Sequence, residues 1–339
     1  MNEGKSVLII AEAGVNHNGS LEMAKQLVDA AKEAGADLVK FQTFKAHKIV
    51  TGAAKMAGYQ VRNKGGGSAD RQLEMLMRLE LSEADHEALI AHCASRGIGF
   101  FSTGFDLDSL DYLNSLGLKQ FKVPSGEITN KPYLRKLASF GHNLILSTGM
   151  ANLGDIEAAI DTIEAEGLPR DRITVLHCTT EYPAPINEVN LRAMVTIGKA
   201  FGVSVGYSDH TEGIEVPIAA VALGATVLEK HFTLDRSLPG PDHSASLEPA
   251  ELAAMVRGIR KIEAALGRPQ KRRTTSEAAN LVAARKSIVA ARAIAKGELF
   301  SDDNLTAKRP GTGLSPMLWD EVLGRPAPRN FAPDEEIVL

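Results

Sequence analysis

The sequence predicts an α/β protein in which a (β/α)8 barrel is followed by a small, mostly β C-terminal unit. Three observations lead to this prediction. Through most of the chain, short apolar runs alternate with segments of helical spacing. Most of these runs end in polar residues, as barrel strands do at the edge that carries the active site. After residue 266 the composition changes to a short basic segment and then to short runs with turn signals.

The apolar runs supply eight strands, and the segments between them supply the helices. Ser20 and Ser82 are expected N-caps, Gly35 a helix stop, and Pro249 the start of the last barrel helix. An open, doubly wound sheet is the alternative fold, but no Gly-x-Gly-x-x-Gly follows the first strand. The predicted strands are residues 7–11, 38–43, 99–103, 120–123, 144–146, 174–178, 203–211 and 225–231. The predicted helices include residues 21–34, 83–96, 156–166, 191–201, 216–223 and 251–266.

We expect a barrel domain over residues 1–266, a basic linker over 267–279 and a second domain over 280–339. The second domain has β-like runs at 287–290 and 336–339. Its length of about sixty residues is small for an independent core, so it is expected to depend on contacts elsewhere. Within the barrel, a long polar insertion spans residues 45–72 and contains three consecutive glycines. It is either a lid or a surface loop.

Composition excludes several classes of function. The net charge of −4 and the 5% aromatic content do not indicate a nucleic-acid-binding protein. No apolar run is long enough for a membrane span, and the N-terminal residues do not resemble a signal peptide. Cys93 and Cys178 both lie in apolar patterns and are expected to be buried thiols. These features predict a cytoplasmic protein.

Two histidines suggest a metal site. His210 and His231 each end a predicted strand, and the two strands are neighbours in sequence with one helix between them. Each histidine also lies close to a carboxylate, Asp209 or Glu229. A single strand-end histidine is more often structural, but two on adjacent parallel strands can share one divalent ion.

Other strand-end residues predict an anion site. Lys40 and Lys122, flanked by serines and threonines, form a cradle for phosphate or for phosphate plus carboxylate, although a lysine inside a barrel can also be structural. Carboxylates nearby are candidates for orienting hydroxyls or moving protons. Together with a metal, such a site fits aldol-like carbon–carbon bond formation; a Schiff-base aldolase remains an alternative. The further residues of this constellation are Glu12, Thr103, Ser125, Glu127, Ser147, Tyr182, Ser208, Asp209 and Asp242.

At these residues the chain resembles the bacterial sialic acid synthase family, which includes legionaminic acid synthases. The small C-terminal unit resembles the antifreeze-like domain of such synthases through Lys308-Arg309-Pro310-Gly311-Thr312-Gly313. In the barrel, the resemblance rests on Ala11-Glu12-Ala13-Gly14-Val15-Asn16-His17-Asn18-Gly19, Val39-Lys40-Phe41-Gln42, Lys122-Val123-Pro124-Ser125-Gly126-Glu127, Leu146-Ser147-Thr148-Gly149-Met150, Gly206-Tyr207-Ser208-Asp209-His210-Thr211, Glu229-Lys230-His231-Phe232-Thr233 and Gly240-Pro241-Asp242-His243.

The resemblance implies a transferase that condenses phosphoenolpyruvate with an N-acetylated mannosamine and water. It implies that His210 and His231 bind Mn²⁺ or a similar ion such as Mg²⁺ or Co²⁺, and that Glu12 lies near the reacting centre. It also implies a domain-swapped homodimer in which Arg309 enters the partner's active site. The implied phosphoenolpyruvate-binding residues are Lys40, Thr103, Lys122, Ser125, Ser147 and Ser208, and the implied sugar contacts are Glu127, Tyr182 and Asp242.

The identity of the sugar is the open question. The first expectation is N-acetylmannosamine, which would make the chain an N-acetylneuraminate synthase. Some members of that group carry Asn at the position of Thr180 and an apolar residue at Glu181. The run here is closer to members that use 2,4-diacetamido-2,4,6-trideoxymannose, so N,N'-diacetyllegionaminate synthase is the alternative.

Two further hypotheses are less favoured. A phosphorylated mannosamine would need a second basic cluster, for which Lys45, Lys48 and Arg62 are the candidates. An ice-binding protein is suggested by the C-terminal unit alone, but charged residues such as Lys308 and Asp302 do not suit a flat ice-binding face.

Overall fold

The computed structural model describes residues 6–52, 54 and 72–339. Most of the predicted polar insertion, including Arg62 and residues 65–67, lies outside the described residues. The chain divides into two compact units, residues 1–267 and 268–339. No helix among the described residues is long and apolar enough to cross a membrane.

The first unit is a barrel of eight parallel strands, as the sequence predicts. The strands pair in the order β3-β2-β1-β8-β7-β6-β5-β4, so the ladder is continuous except between β3 and β4. Each strand is short and is followed by a helix, which carries the chain back for the next parallel strand. The strands are β1 Leu8–Gly14, β2 Leu38–Thr43, β3 Gly99–Gly104, β4 Gln120–Val123, β5 Asn143–Ser147, β6 Ile173–Cys178, β7 Ser204–Asp209 and β8 Val227–His231.

The helices begin and end at the predicted signals. Ser20 caps the first helix by accepting a hydrogen bond from the Met23 N–H, and Gly35 ends it at φ 86°. Ser82 forms a capping box with Asp85. The helices of this unit are α1 Leu21–Ala34, α2 Ala46–Ile49, α3 Gln72–Met77, α4 Glu83–Arg96, α5 Leu107–Ser115, α6 Lys131–Ser139, α7 Leu153–Ala165, α8 Arg192–Phe201, α9 Glu215–Ala222 and α10 Pro249–Leu266.

Alternation along the strands produces two layers inside the barrel. An apolar layer contains Ile10, Phe101, Ile145, Leu176 and Val227. Successive side chains of a strand point to opposite faces, so the residue two positions further on faces inward as well. That residue lies one step closer to the C-terminal strand ends, and it is polar on four of these five strands and a cysteine on β6. The second layer therefore contains Glu12, Thr103, Ser147, Cys178 and Glu229.

The second unit has a small core of its own. Its strands β9 (Ser287–Ala290) and β10 (Leu305–Lys308) pair antiparallel, and two short helices, α11 (Ala278–Ala284) and α12 (Trp319–Val322), lie on either side of them in sequence. The predicted strand at 336–339 is reduced to one isolated bridge between Val289 and Glu336. The core residues are Ile288, Ala290, Ile294, Phe300, Leu305, Val322, Ala327, Phe331 and Ile337.

Candidate active site

One cavity of about 460 Å³ lies at the C-terminal ends of the barrel strands. Apart from Asp209, every predicted site residue of the barrel lines it, and the fold brings these residues together from all eight strands or the loops that follow them. Arg309 belongs to the second unit, where its exposed side chain donates through Nε to the Ala284 carbonyl at 3.1 Å. The gathered residues are Glu12, Lys40, Thr103, Lys122, Ser125, Glu127, Ser147, Tyr182, Ser208, His210, His231 and Asp242.

The floor of the cavity is a buried network of two lysines and two carboxylates. Lys40 Nζ lies 2.7 Å from Glu12 Oε2 and 3.5 Å from Glu229 Oε1. Lys122 Nζ lies 3.2 Å from the same Glu229 oxygen. Thr103 accepts a hydrogen bond from Lys40 at 3.1 Å, and Ser208 donates one to Glu229 at 3.2 Å. Because buried charges need partners, each ion here depends on the others.

Burial and charge separate the two carboxylates. Burial raises the pKa of Glu12 against the opposing effect of Lys40. Burial also acts to raise the pKa of Glu229, but Lys122 and Lys40 outweigh it and hold that pKa below its usual range. Glu229 is therefore the permanent counter-ion of the lysines, whereas Glu12 can take up a proton near neutral pH. A floor with two cations and one fixed anion favours an anionic ligand.

The two histidines lie side by side, and burial favours their neutral forms. The ring centroids are 5.5 Å apart. Nδ1 of His210 lies 2.6 Å from the Thr179 carbonyl oxygen. A carbonyl only accepts, so Nδ1 carries the proton and Nε2 keeps its lone pair. Burial lowers the pKa of His210 to about 4, and burial together with His210 lowers that of His231 well below its usual value.

This pair fits a divalent metal ion. Nδ1 of His231 is buried and has no hydrogen-bond partner among the described residues. Neutral imidazoles with available lone pairs are good ligands for divalent transition metals. Within the described part of the chain, no group of three or more His, Cys, Asp or Glu side chains completes the coordination. The remaining positions on such an ion would be left for substrate or water. Tyr182 packs on His210 with the ring centroids 4.1 Å apart.

Hydroxyls beside the lysines are arranged to receive an anion. The Ser147 hydroxyl is buried with no hydrogen-bond partner among the residues that the structure describes. Ser125 Oγ accepts from the Gly149 N–H at 3.0 Å. A Cβ on Gly149 would lie 1.9 Å from Thr180 Oγ1 and 2.8 Å from Ser125 Oγ, so only glycine permits this close approach of the loops after β4, β5 and β6.

Asp242 and Glu127 stand at the sides of the cavity. Burial raises the pKa of Asp242 to about 6. The loop that carries Asp242 is fixed by Ser246, whose hydroxyl donates to the Asp242 carbonyl at 2.7 Å and accepts from Asn16 at 3.0 Å. Glu127 is partly exposed and accepts a hydrogen bond from Asn130 at 2.5 Å.

The sequence placed Asp209 in this constellation, and that expectation is wrong. Ser208 faces the cavity, so Asp209 faces the opposite side of β7, where it is fully buried and pairs with Lys230. The sequence pattern marks Glu229 only as a neighbour of His231, yet Glu229 is the centre of the floor. The signal for it was available, because a residue two positions before His231 on β8 must share its face.

Comparisons with known proteins agree with the fold. Residues 27–271 match the NeuB family and residues 285–338 match the SAF domain. The chain is 54% identical to the N,N'-diacetyllegionaminic acid synthase of Campylobacter jejuni, over 98% of this chain and 99% of that protein. It is 50% identical to the protein of that name from Legionella pneumophila, over 93% and 89% of the two chains.

Two further relatives are named as synthases of N-acetylneuraminic acid or of its 9-phosphate. Human N-acetylneuraminate-9-phosphate synthase is 38% identical, over 88% of this chain and 82% of that protein. A crystal structure of N-acetylneuraminic acid synthetase from Leptospira borgpetersenii, in complex with citrate, superposes with a TM-score of 0.70 at 32% identity, over 83% of this chain and 94% of that chain.

The chain therefore belongs to the NeuB family and carries a C-terminal SAF domain. It is a phosphoenolpyruvate-dependent transferase that forms a carbon–carbon bond, of the N-acetylneuraminate synthase type. The family prediction made from the strand-end motifs is confirmed, as is the prediction of an antifreeze-like C-terminal unit.

Proposed function

We propose that this protein condenses phosphoenolpyruvate with 2,4-diacetamido-2,4,6-trideoxymannose and water to give N,N'-diacetyllegionaminate and phosphate. The observation that carries the proposal is that two relatives named N,N'-diacetyllegionaminic acid synthase are 54% and 50% identical to the chain. The human N-acetylneuraminate-9-phosphate synthase is 38% identical. The sugar 2,4-diacetamido-2,4,6-trideoxymannose is therefore favoured over N-acetylmannosamine. Thr180 and Glu181 agree with this choice, because the run that contains them is closer to family members that use the diacetamido sugar.

In this proposal the floor binds phosphoenolpyruvate. Lys40 and Lys122 supply the positive charge for its phosphate and carboxylate, and Ser147, whose hydroxyl is buried without a partner among the described residues, supplies a hydrogen bond. The remaining hydroxyls of the phosphoenolpyruvate set are Thr103, Ser125 and Ser208.

His210 and His231 would hold a divalent ion, Mn²⁺ in the first instance and Mg²⁺ or Co²⁺ as alternatives. When bound, the ion supplies a Lewis acid that polarises the aldehyde of the open-chain sugar. Support comes from the neutral rings and from the unpartnered Nδ1 of His231 within the described part of the chain.

The remaining steps fall to orientation and proton transfer. The methylene carbon of phosphoenolpyruvate attacks the sugar aldehyde, water adds to the oxocarbenium-like centre, and the tetrahedral intermediate loses phosphate by C–O cleavage. Glu12 is suited to exchange a proton beside the reacting centre, because its pKa is raised by burial while Lys40 stays close. Glu127, Tyr182 and Asp242 would orient the sugar, so that two bound substrates meet in one geometry.

We also infer a cytoplasmic homodimer in which Arg309 acts in the partner's cavity. Support for a reducing compartment comes from Cys93 and Cys178, which are both free and buried. Support for the role of Arg309 comes from its exposure in the SAF domain and from the family resemblance. Mixing a His210→Ala protein with an Arg309→Ala protein tests the arrangement, because one intact site per mixed dimer would restore part of the activity that each variant lacks.

The decisive experiment for the reaction is phosphate release by the Mn²⁺-loaded protein with phosphoenolpyruvate and either sugar. We expect kcat/KM to be much higher with 2,4-diacetamido-2,4,6-trideoxymannose than with N-acetylmannosamine. A higher value with N-acetylmannosamine would make the protein an N-acetylneuraminate synthase. If no phosphate were released with either sugar, the proposal would fail.

A further inference from the structure

One side of the cavity is an apolar wall. It is built by the loops after β1, β2 and β3 and by α3. Most of its members are buried in a small cluster of their own, but Ile49, Leu76 and Phe105 are partly exposed and line the cavity, so they can touch a ligand. The apolar wall consists of Val15, Phe44, Ile49, Met75, Leu76, Leu79 and Phe105.

The apolar wall lies across the cavity from the proposed metal ligand His210. Phe105 directly follows β3, and His210 directly follows β7. In the strand order β3-β2-β1-β8-β7 these strands are four positions apart, which is half of an eight-stranded barrel. A sugar whose aldehyde is held beside His210 can therefore extend its far end towards Phe105 and Leu76.

Among the described residues, the charges around the cavity offer no partner for a phosphate at that far end. Lys40 and Lys122 are the only lysines or arginines among the described residues that line the cavity, and both are bound to carboxylates in the floor. Lys48, a candidate for a second basic cluster, lines a neighbouring cavity and is paired with Asp108. A strongly hydrated group at the apolar wall would lose water without gaining a partner from it.

We infer that the apolar wall receives the C6 methyl group of a 6-deoxy sugar and selects it over a 6-hydroxymethyl group. This inference rests on the proposed function and adds the residues that choose the substrate. In 2,4-diacetamido-2,4,6-trideoxymannose, C1 is the reacting aldehyde and C6 is the opposite end of the open chain. A methyl group at C6 buries apolar surface against Leu76 and Phe105, whereas a hydroxyl there forfeits hydrogen bonds to water.

The test uses two sugars that differ by one oxygen atom, 2,4-diacetamido-2,4,6-trideoxymannose and its 6-hydroxy analogue. The readout is kcat/KM for phosphate release with saturating phosphoenolpyruvate. An apolar pocket discriminates by about 10- to 200-fold between groups of this kind, so we expect the unaltered protein to prefer the 6-deoxy sugar at least about tenfold.

Leu76→Gln should reduce that preference by giving the 6-hydroxyl a partner. Phe105→Tyr adds a hydroxyl at almost constant volume and should act in the same direction, which covers the case that Leu76→Gln fails to fold. Met77→Gln is the matched control, since Met77 is on the same helix but 61% exposed and does not line the cavity. The control should keep the preference of the unaltered protein.

The possible outcomes separate the inference from the proposed function. If the unaltered protein uses the two diacetamido sugars equally well, or if both wall variants lower kcat/KM for the two sugars by the same factor, the inference is overturned while the proposed function stands. If N-acetylmannosamine is used better than either diacetamido sugar, the proposed function fails and the inference fails with it. A tenfold preference that falls in both wall variants and survives in Met77→Gln supports both.

Discussion

Lys230 and Asp209 form a fully buried ion pair on the outer face of the barrel, with Lys230 Nζ 2.5 Å from Asp209 Oδ2. The two residues are directly opposite each other in the β7–β8 ladder, and each immediately precedes a histidine of the proposed metal pair, His210 or His231. Thr211 satisfies the remaining groups, because it donates to Asp209 through its N–H and its hydroxyl and accepts from Lys230 through its carbonyl. The ion pair therefore fixes the register in which the two rings stand side by side.

Replacing one member of this pair should be costly. Lys230→Met leaves the Asp209 carboxylate buried without a cation, and we expect a loss of about 3–5 kcal/mol in the free energy of unfolding, measured with urea. Adding Asp209→Leu removes the uncompensated charge and should recover much of that loss. Because the ion pair would no longer fix the register of β7 and β8, Mn²⁺ affinity should fall in both Lys230→Met and the double variant. A Lys230→Met protein as stable as the unaltered one would contradict this account.

Glu229→Gln tests the role of the floor network. The change removes the anion shared by Lys40 and Lys122, so two buried cations are left with less compensation. We expect a lower thermal midpoint without ligand and a larger increase on adding phosphoenolpyruvate than in the unaltered protein, since the ligand replaces the lost charge. A matched control is Glu263→Gln, which removes a carboxylate paired with Arg260 far from the cavity lining. If phosphoenolpyruvate raised the thermal midpoint equally in the unaltered protein, Glu229→Gln and Glu263→Gln, the floor would not be the phosphoenolpyruvate site.

Much of the fold and of the site could be predicted from the sequence. A closed parallel barrel brings the C-terminal ends of its strands to one rim, so residues that end separate apolar runs, such as Lys40, Lys122 and His231, meet without any knowledge of their distances. A strand-end position alone also places Asp209 in the cavity, which is wrong. The sequence of the run does not say which of Ser208 and Asp209 faces inward.

The apolar wall could not be predicted in this way. Leu76 lies on a short helix after the polar insertion, and nothing in its own neighbourhood indicates a cavity. Its place there depends on long-range packing against residues such as Phe44 and Phe105. Arg309 is a different case, since its proposed partner is a second copy of the chain. A single exposed arginine carries no sequence pattern that would indicate such a contact.

The pH dependence of stability should report the ionisation of the Asp242 carboxyl group. Burial raises its pKa from 3.8 to about 6, so the folded state holds the proton more tightly than the unfolded state. The contribution of Asp242 is then fully present below the unfolded value and is lost as the pH rises through about 6, a change of roughly 3 kcal/mol in all. Asp242→Asn should lack this dependence.

Urea unfolding of both proteins at pH 5 and pH 8 isolates the effect of Asp242 from that of other groups. The stability of the unaltered protein relative to Asp242→Asn should fall by about 1 kcal/mol between the two values. A difference that stays constant with pH would show that the Asp242 carboxyl ionises at its ordinary pKa. The kcat/KM profile should also lose activity on the acid side near pH 6, if the ionised form orients the sugar.

Metal binding can be tested independently of enzymatic activity by measuring the concentration of free Mn²⁺ with electron paramagnetic resonance. His210→Ala removes one of two ligands, and we expect Mn²⁺ affinity to fall by at least about tenfold. His92→Ala is the control, because that histidine is on the surface and bound to Asp29. The pKa of His210 is lowered to about 4, so its ring stays neutral and competes little with protons down to about pH 5. Mn²⁺ affinity should therefore change little between pH 8 and pH 6, whereas a steep loss over that range would mean that the rings are charged and the proposed ligand pair is wrong.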